Sequence, residues 1–374
     1  MRQPCHAVLL AVILLAGCGS RKPAAMPNPQ AEKGRQLYGQ LCATCHGPAG
    51  NGYASDNAPS LRTTTFLASV TDGFLSEAIV RGRPGTAMPA YGRALGGPLA
   101  TPDVDALLAF LRVGNPPRVA GLPVRIPGNA ARGKVVYDAT CVRCHGTETQ
   151  RGTALHLANP VFLQTASDGF LRYAVTEGRA PTSMLAWKNT LDAQQIDDVV
   201  VYLRSLATPP PVPFKPPPLP PAAPRTGPVV LNHRGRAPDF TLKDGLYVSI
   251  DQVNAALTAK RRLVIVDARP PSDYLNLHIT GAISTPYYDV KSLDDLPKDG
   301  TWIVAYCACP HHLSGTVVDE LRKRGYPHTA VLDEGIFAWQ QKKYPVVAAP
   351  GMKAPPAPPP LAAPPAAPAP ARPK

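Results

Sequence analysis

The chain has 374 residues, which is enough for two or three domains. It contains 46 prolines, and because these are clustered they indicate linkers and tails rather than an unusual core. The net charge is +13, yet residues 31–206 hold 17 basic against 13 acidic side chains, and residues 226–348 hold 14 against 13. This even distribution argues against a nucleic-acid-binding surface, which needs a concentrated basic face.

The N-terminus has the features of an export signal. An apolar run over residues 7–16 follows Met1 and Arg2, and it is too short for a membrane span of about 20 residues. The run ends in Leu15-Ala16-Gly17-Cys18, which resembles the lipobox of bacterial lipoproteins. That resemblance implies a signal peptide over 1–17, acylation of Cys18 and a lipidated tether over 18–30. We therefore expect a bacterial envelope protein, lipid-anchored on the inner or outer membrane and facing the periplasm.

Two C-x-x-C-H motifs indicate covalent haem attachment. They read Cys42-Ala43-Thr44-Cys45-His46 and Cys141-Val142-Arg143-Cys144-His145, and they begin 99 residues apart. In this pattern the two thiols bond to the haem vinyl groups and the adjacent histidine binds the iron. A single motif also suits zinc or redox chemistry, but two in an exported chain favour two haem c groups. The predicted attachment thiols are Cys42, Cys45, Cys141 and Cys144, and the predicted iron ligands are His46 and His145.

The motifs belong to an internal repeat. Gly34 and Tyr38 recur 99 residues later, and Asp72-Gly73-Phe74-Leu75 recurs 96 residues later. Met88 and Met184 are also 96 apart, and the other three methionines lie at the start, in the tether and in the tail. By elimination, Met88 and Met184 are the predicted sixth ligands of the two irons. His/Met ligation fills the coordination sphere and suits electron transfer.

These features together resemble a tandem duplication of class I cytochrome c, with mainly helical domains over 31–114 and 128–207. The resemblance implies that Gly34 and its counterpart Gly133 allow two helices to approach closely. It also implies that a proline carbonyl orients each iron-binding histidine, for which Pro59 and Pro160 are the candidates. An enzyme acting at an open haem iron is a weaker alternative, which requires that Met184 is not a ligand.

The second half of the chain has a different composition. Ten prolines within 209–224 indicate an extended polyproline II spacer, and we place the linker at 208–227. Residues 228–348 alternate apolar strands, such as 263–266 and 302–306, with a helix near 314–324. This alternation predicts an α/β domain with a parallel sheet. An Ala/Pro-rich tail over 349–374 is predicted to be disordered. The predicted fold class is therefore multidomain, with two mainly α domains before an α/β domain.

The α/β segment resembles a rhodanese domain, with Cys307 at the position of the catalytic cysteine. The resemblance implies that the Cys307 thiolate, at a strand end and before a helix, carries sulfane sulfur as a persulfide. The following loop has no Arg or Lys to bind an anionic donor, and Leu313 stands where phosphatase-like relatives have Arg. His311 and His312 are accessory candidates, because imidazoles supply partial positive charge near neutral pH. Asp267-Arg269 and His278 are expected to be structural.

Three interpretations of Cys309 stay open. It is an acceptor thiol for Cys307, an inert small residue, or a ligand with Cys307, His311 and His312 of a soft metal ion.

The overall hypothesis is a membrane-tethered dihaem cytochrome that carries electrons in a respiratory or sulfur-oxidising chain. Its expected partners are a redox protein or membrane respiratory complex and a small sulfur-containing donor, with no nucleic acid. The rhodanese-like domain is either a sulfurtransferase that uses Cys307 or a docking module without turnover. The absence of a basic residue from the loop after Cys307 favours the second.

Overall fold

A computed structural model describes residues 28–55, 57–114, 117–207, 229–308 and 311–360. The predicted signal peptide and Cys18, the whole proline-rich linker, Cys309 and residues 361–374 lie outside these ranges. Helices form the first half of the described chain, and a parallel α/β unit forms the second. This arrangement confirms the predicted fold class.

The helices of the first repeat have favourable residues at their N-termini and at their crossing points. Asn28 caps α1 by accepting hydrogen bonds from the amides of Gln30 and Ala31, and proline occupies the first helical position. A Cβ atom on Gly34 would lie 1.9 Å from the carbonyl oxygen of Ala106, so only glycine permits this crossing of α1 and α5. The helices are α1 Pro29–Leu41, α2 Ala43–His46, α3 Thr64–Ser69, α4 Asp72–Arg81 and α5 Thr101–Arg112.

The second repeat has the same order of helices. A Cβ atom on Gly133 would lie 1.9 Å from the carbonyl oxygen of Asp198, which matches the contact of Gly34. Both close approaches expected from the resemblance are thus confirmed. The helices are α6 Ala130–Thr140, α7 Val142–His145, α8 Pro160–Thr165, α9 Asp168–Glu177 and α10 Ala193–Ser205.

The two repeats share one hydrophobic core across their boundary. Helix α3 packs on α9 and α4 packs on α8. Because α8 is the counterpart of α3 and α9 that of α4, the same pair of helices meets twice across the boundary. The cluster combines side chains from both, including Leu67, Val70, Phe74, Phe162, Leu163 and Phe170. The two cytochrome-like repeats therefore pack against each other in a two-fold arrangement and share a core.

The α/β unit is built on a parallel sheet with the order β1-β6-β5-β2-β4. All residues of the neighbouring strands 263–267 and 302–306 are buried except Trp302, as expected for a sheet covered on both faces. A separate antiparallel pair joins β3 and β7. The elements are β1 Tyr247–Val248, α11 Ile250–Thr258, β2 Leu263–Asp267, α12 Pro271–Asn276, β3 His278–Ile279, β4 Ile283–Ser284, β5 Trp302–Tyr306, α13 His312–Lys323, β6 Thr329–Leu332, α14 Gly335–Gln341 and β7 Val346–Val347.

Part of the predicted disordered tail makes specific contacts. The side-chain amide of Gln340, on α14, donates to the carbonyl of Pro355 at 2.6 Å. Arg151 of the second repeat donates through Nε to the carbonyl of Pro359 at 2.9 Å. Residues 349–360 thus contact both the α/β unit and the second repeat. They do so through proline carbonyls, which accept hydrogen bonds although proline has no amide hydrogen to donate.

Candidate functional site

Each C-x-x-C-H motif folds as a single helical turn directly after a longer helix. The amide of His46 donates to the carbonyl of Cys42 at 2.9 Å, and that of His145 donates to Cys141 at 3.0 Å. Residues four apart on a helix share one face, so the first thiol and the histidine of each motif lie on the same side. Cys42, Cys45, Cys141 and Cys144 form no disulfide in the described chain. All four thiols are therefore available for thioether bonds.

Each motif histidine lies beside a backbone carbonyl, with His46 buried and His145 half-buried. The Nδ1 atom of His46 lies 2.8 Å from the carbonyl oxygen of Pro59, which confirms the expected contact. Burial lowers the pKa of His46 and of His145, which favours the neutral imidazole that a metal requires. Because a carbonyl only accepts, Nδ1 holds the proton and Nε2 is left for a metal.

The expectation for the second histidine was wrong. The Nδ1 atom of His145 lies 2.8 Å from the carbonyl oxygen of Leu155, not of Pro160. Pro160 instead forms the first residue of α8, where Asn159 caps the helix. His145 thus has the same contact between Nδ1 and a backbone carbonyl as His46, but Leu155 rather than a proline supplies the carbonyl.

The two methionine loops have the same backbone geometry. The amide of Arg83 donates to the carbonyl of Met88 at 2.9 Å, and the amide of Arg179 donates to that of Met184 at 2.8 Å. Gly82 and Gly178 precede these arginines with φ of 64° and 66°, and a Cβ atom on either would lie 2.6 Å from the methionine carbonyl oxygen. The loop of Met184 thus keeps the form of the first loop although no proline follows its methionine.

Two arginines that the motifs do not indicate, the buried Arg83 and the half-buried Arg179, show that the repeats fit a bound carboxylate group. The guanidinium carbon of Arg83 lies 5.1 Å from the ring centre of Phe74 and 5.9 Å from that of Phe162, in the other repeat. Arg179 is stacked equivalently on Phe170 and Phe66. Burial lowers the pKa of each arginine to about 10.

Neither arginine makes an ion pair with a described residue, and Nη2 of Arg179 is buried without a hydrogen-bond partner. A buried cation without a counterion is costly. Haem propionates are carboxylates, which pair well with guanidinium groups, so these residues fit haem. The signal was present in the sequence, since Phe66, Phe74 and Arg83 recur as Phe162, Phe170 and Arg179 with the same 96-residue shift.

Cys307 lies at the end of β5, where the sequence places it, but its side chain is fully buried. Its Sγ atom lies 3.3 Å from the Oγ atom of Ser314 on α13. Its carbonyl accepts a hydrogen bond from the amide of Ile336 at 3.0 Å. The thiol is 0% exposed, so a sulfur donor reaches it only after a local movement.

The accessory histidines differ in their surroundings. The Nε2 atom of His311 lies 2.6 Å from Oδ1 of Asp333, and its ring centre lies 4.0 Å from that of Tyr247. Asp333 therefore offsets the positive charge that His311 would offer to an anionic donor. His312 is the first residue of α13.

Cys309, which the soft-metal interpretation requires, lies outside the described residues. Among the residues that are described, no three His, Cys, Asp or Glu side chains are grouped to hold a metal ion. The interpretations of Cys309 therefore stay predictions.

The polar residues beneath this loop are structural, as expected. Arg269 donates to both carboxylate oxygens of Asp267, at 2.9 and 2.7 Å, and the hydroxyl of Tyr306 donates to Asp267 at 2.8 Å. Nδ1 of His278 lies 2.7 Å from the carbonyl oxygen of Tyr274. This buried network stabilises the carboxyl ends of the central strands.

Comparisons with known proteins agree with the two parts of the fold. The family model "Cytochrome C oxidase, cbb3-type, subunit III" matches residues 29–111 and again 128–203, and the model "Rhodanese-like domain" matches residues 249–342. The solution structure of a rhodanese-like domain from Anabaena sp. is 26% identical and covers 29% of this chain and 83% of its own, with a TM-score of 0.27.

Two curated relatives match the first half. The cbb3-type cytochrome c oxidase subunit FixP of Bradyrhizobium diazoefficiens is 29% identical over 50% of this chain and 64% of its own length. Subunit CcoP of Azospirillum sp. is 30% identical over 46% of this chain and 61% of its own length. The chain thus spans less than two thirds of these relatives. No helix in the described ranges has the length and apolar character that crossing a membrane requires.

Proposed function

We propose that this chain, which carries two cbb3-type cytochrome c domains and a C-terminal rhodanese-like domain, is a dihaem electron carrier tethered to a bacterial membrane. The observation that carries the proposal is the equivalence of the two repeats. Each repeat has two thiols without a disulfide at one helical turn, a histidine whose Nδ1 lies 2.8 Å from a backbone carbonyl oxygen, and a methionine loop of the same form.

The proposed roles follow the repeats. In the first, Cys42 and Cys45 hold the haem and His46 and Met88 bind its iron. When bound, each haem supplies an iron that cycles between the ferric and ferrous states. The protein residues orient the imidazole, exclude water and place a guanidinium group for the propionates. In the second repeat the corresponding residues are Cys141, Cys144, His145 and Met184.

The proposed location is the periplasmic side of the cell envelope, with Cys18 as the lipid attachment site. A protein held by acyl chains exchanges electrons with partners on the same membrane. The relatives are named as subunits of cbb3-type cytochrome c oxidases, which supports a redox protein or respiratory complex as the partner.

For the rhodanese-like domain we propose sulfur transfer through Cys307. Its thiolate attacks the outer sulfur of a donor such as thiosulfate, the donor S–S bond breaks, and sulfite leaves with the electron pair. A nucleophilic acceptor then takes the outer sulfur from the Cys307 persulfide and restores the thiolate. No net oxidation occurs, so this cycle is independent of the haems.

The second candidate is a docking role without turnover. The complete burial of Cys307 and the Asp333 carboxylate on His311 favour it, because both oppose the approach of an anionic donor. In this case electron transfer is the function of the whole chain.

The test is sulfur transfer from thiosulfate and an organic persulfide to cyanide by the full haem-loaded chain. We expect Cys307→Ser to reduce the rate to background, since no other residue forms the persulfide. Cys309→Ser is measured beside it: retained activity would identify Cys309 as an inert residue, and reduced activity would identify it as an acceptor thiol for Cys307. Activity that Cys307→Ser leaves unchanged would exclude the sulfurtransferase mechanism. No activity in any form would select the docking role.

A further inference from the structure

The rhodanese-like domain reaches into the first cytochrome domain at the start of its haem-attachment motif. The hydroxyl of Tyr287 donates to the carbonyl of Leu41 at 2.8 Å and lies 3.1 Å from the hydroxyl of Tyr91. The hydroxyl of Tyr91 also donates to Leu41, at 2.9 Å. Leu41 directly precedes Cys42, and both tyrosines are more than nine-tenths buried. A buried hydroxyl network thus joins the two domains beside the first haem site.

A second group of contacts covers the loop that carries Met88. The Oγ atom of Ser272, the second residue of α12, donates to the carbonyl of Ala90 at 2.6 Å. Ala87, next to Met88, is buried in the hydrophobic cluster that also contains Cys307. Helix α13 lies alongside α2, which carries the first C-x-x-C-H motif. The side of the rhodanese-like domain that holds Cys307 therefore faces the first haem site.

The second repeat provides an internal comparison, because its equivalent loop lacks this cover. Ala87 and Pro89 are buried, whereas their counterparts Ser183 and Leu185 are exposed, Leu185 by 67%. The same difference holds for the second thiol of each motif, since Cys144 is exposed and Cys45 is half-buried. Two sites built from one repeated sequence thus have unequal access to water.

We infer that the rhodanese-like domain is a cap on the first haem site and makes the two sites electrochemically unequal. The ferric state carries one more positive charge than the ferrous state, and excluding water removes solvation that favours the ferric state. The capped first site therefore has the higher reduction potential. The open second site, around Leu185 and Cys144, has the lower potential and exchanges electrons with external redox proteins. This inference rests on the proposed function, since it requires haem in both repeats.

The test is a substitution in the full chain that disrupts the contact between the rhodanese-like domain and the loop of Met88. Ser272→Arg places a long charged side chain where Ser272 meets Ala90, and Thr258→Arg makes the same change at an exposed position on α11 as its control. We expect hydrogen–deuterium exchange in residues 86–92 of the wild type to be at least about tenfold slower than in residues 182–188. Ser272→Arg should remove this difference, and Thr258→Arg should keep it.

The second readout is a potentiometric titration. The wild type should give two separate midpoints, and Ser272→Arg should lower only the higher one. A gentler variant, Tyr287→Phe, removes one interdomain hydroxyl and should shift the same midpoint in the same direction, less far. Its control is Tyr326→Phe, which loses a hydroxyl bonded within the rhodanese-like domain to Leu293.

Two outcomes overturn the cap. One is equal exchange in the two loops of the wild type, and the other is a higher midpoint that neither Ser272→Arg nor Tyr287→Phe lowers. Haem content, measured first on each sample, separates these outcomes from failure of the proposed function. A chain with fewer than two haems contradicts the dihaem proposal itself, whereas the exchange measurement reports on the cap in either case.

Discussion

Arg83 and Arg179 connect the sequence repeat to the chemistry of the sites. Each guanidinium group lies between phenylalanines of both repeats, with Arg83 buried and Arg179 half-buried, and neither makes an ion pair with a described residue. In a site with low dielectric such a charge acts strongly on a nearby redox centre, because little water screens it. A positive charge opposes the ferric state, so each arginine is expected to raise the potential of its haem.

Replacing Arg83 tests this effect at one site. Arg83→Gln removes the charge and should lower one midpoint potential by about 60 mV, the value of a tenfold change in a one-electron equilibrium. Arg83→Lys keeps the charge and should shift the potential much less. The measurement is a redox titration of the full chain with both haems bound. An unchanged midpoint in Arg83→Gln would show that the charge lies too far from the haem.

At the scale of single residues, the C-x-x-C-H motifs are explicit in the sequence, whereas the contacts around them are not. Cysteine and histidine spacing identified both motifs, because haem attachment demands those residues at those positions. The carbonyl partner of His145 was mispredicted, since any loop carbonyl that passes at the right distance serves as well as that of a proline. The arginines were missed because their recurrence with the 96-residue shift does not by itself show how far their side chains are buried.

At the scale of helices, the crossing of α1 and α5 depends on one glycine. Gly34 lies under the carbonyl of Ala106, while Gly39, on the same helix, has open space around its Cα atom. The equivalent crossing of α6 and α10 depends on Gly133. The helix that presents each haem motif is thus positioned by a contact that leaves no room for a side chain.

Alanine substitutions on α1 should therefore have opposite effects. Gly34→Ala forces the helices apart and should reduce the free energy of unfolding by about 1–3 kcal/mol. Gly39→Ala meets no other atom and reduces the conformational freedom of the unfolded chain. It should therefore increase the free energy of unfolding by about 0.5–1 kcal/mol. Denaturant unfolding, followed by the haem absorbance of the first repeat, measures both. Equal effects at the two positions would mean that α1 and α5 do not cross as described.

Helices and strands were predictable where periodicity and length were strong. The strand predicted at 302–306 is β5, and the helix predicted near 314–324 is α13, which begins two residues earlier. Apolar runs and helical spacing determine these elements locally. The two-residue strands β1, β3, β4 and β7 were not predicted, because pairing with distant segments rather than local sequence defines them.

At the scale of the molecule, the repeats and the rhodanese-like domain are linked by polar contacts between distant segments. Tyr287 meets Leu41 and Ser272 meets Ala90, with more than 180 residues between the partners in each pair. The sequence predicted three domains but not their contacts, since each such residue resembles an ordinary core or capping residue when it is read alone. The described arrangement places the Cys307 side of one domain beside the haem motif of another.

The proposed function requires that the chain carries two haem c groups, each bound by histidine and methionine. The most direct measurement is the haem content of the full chain together with the red-end absorption band of methionine bound to ferric iron, in the wild type and in Met184→Ala. We expect two haems per chain in both proteins and a band that falls to about half in the variant. A single haem per chain, or a band that Met184→Ala leaves unchanged, would contradict it.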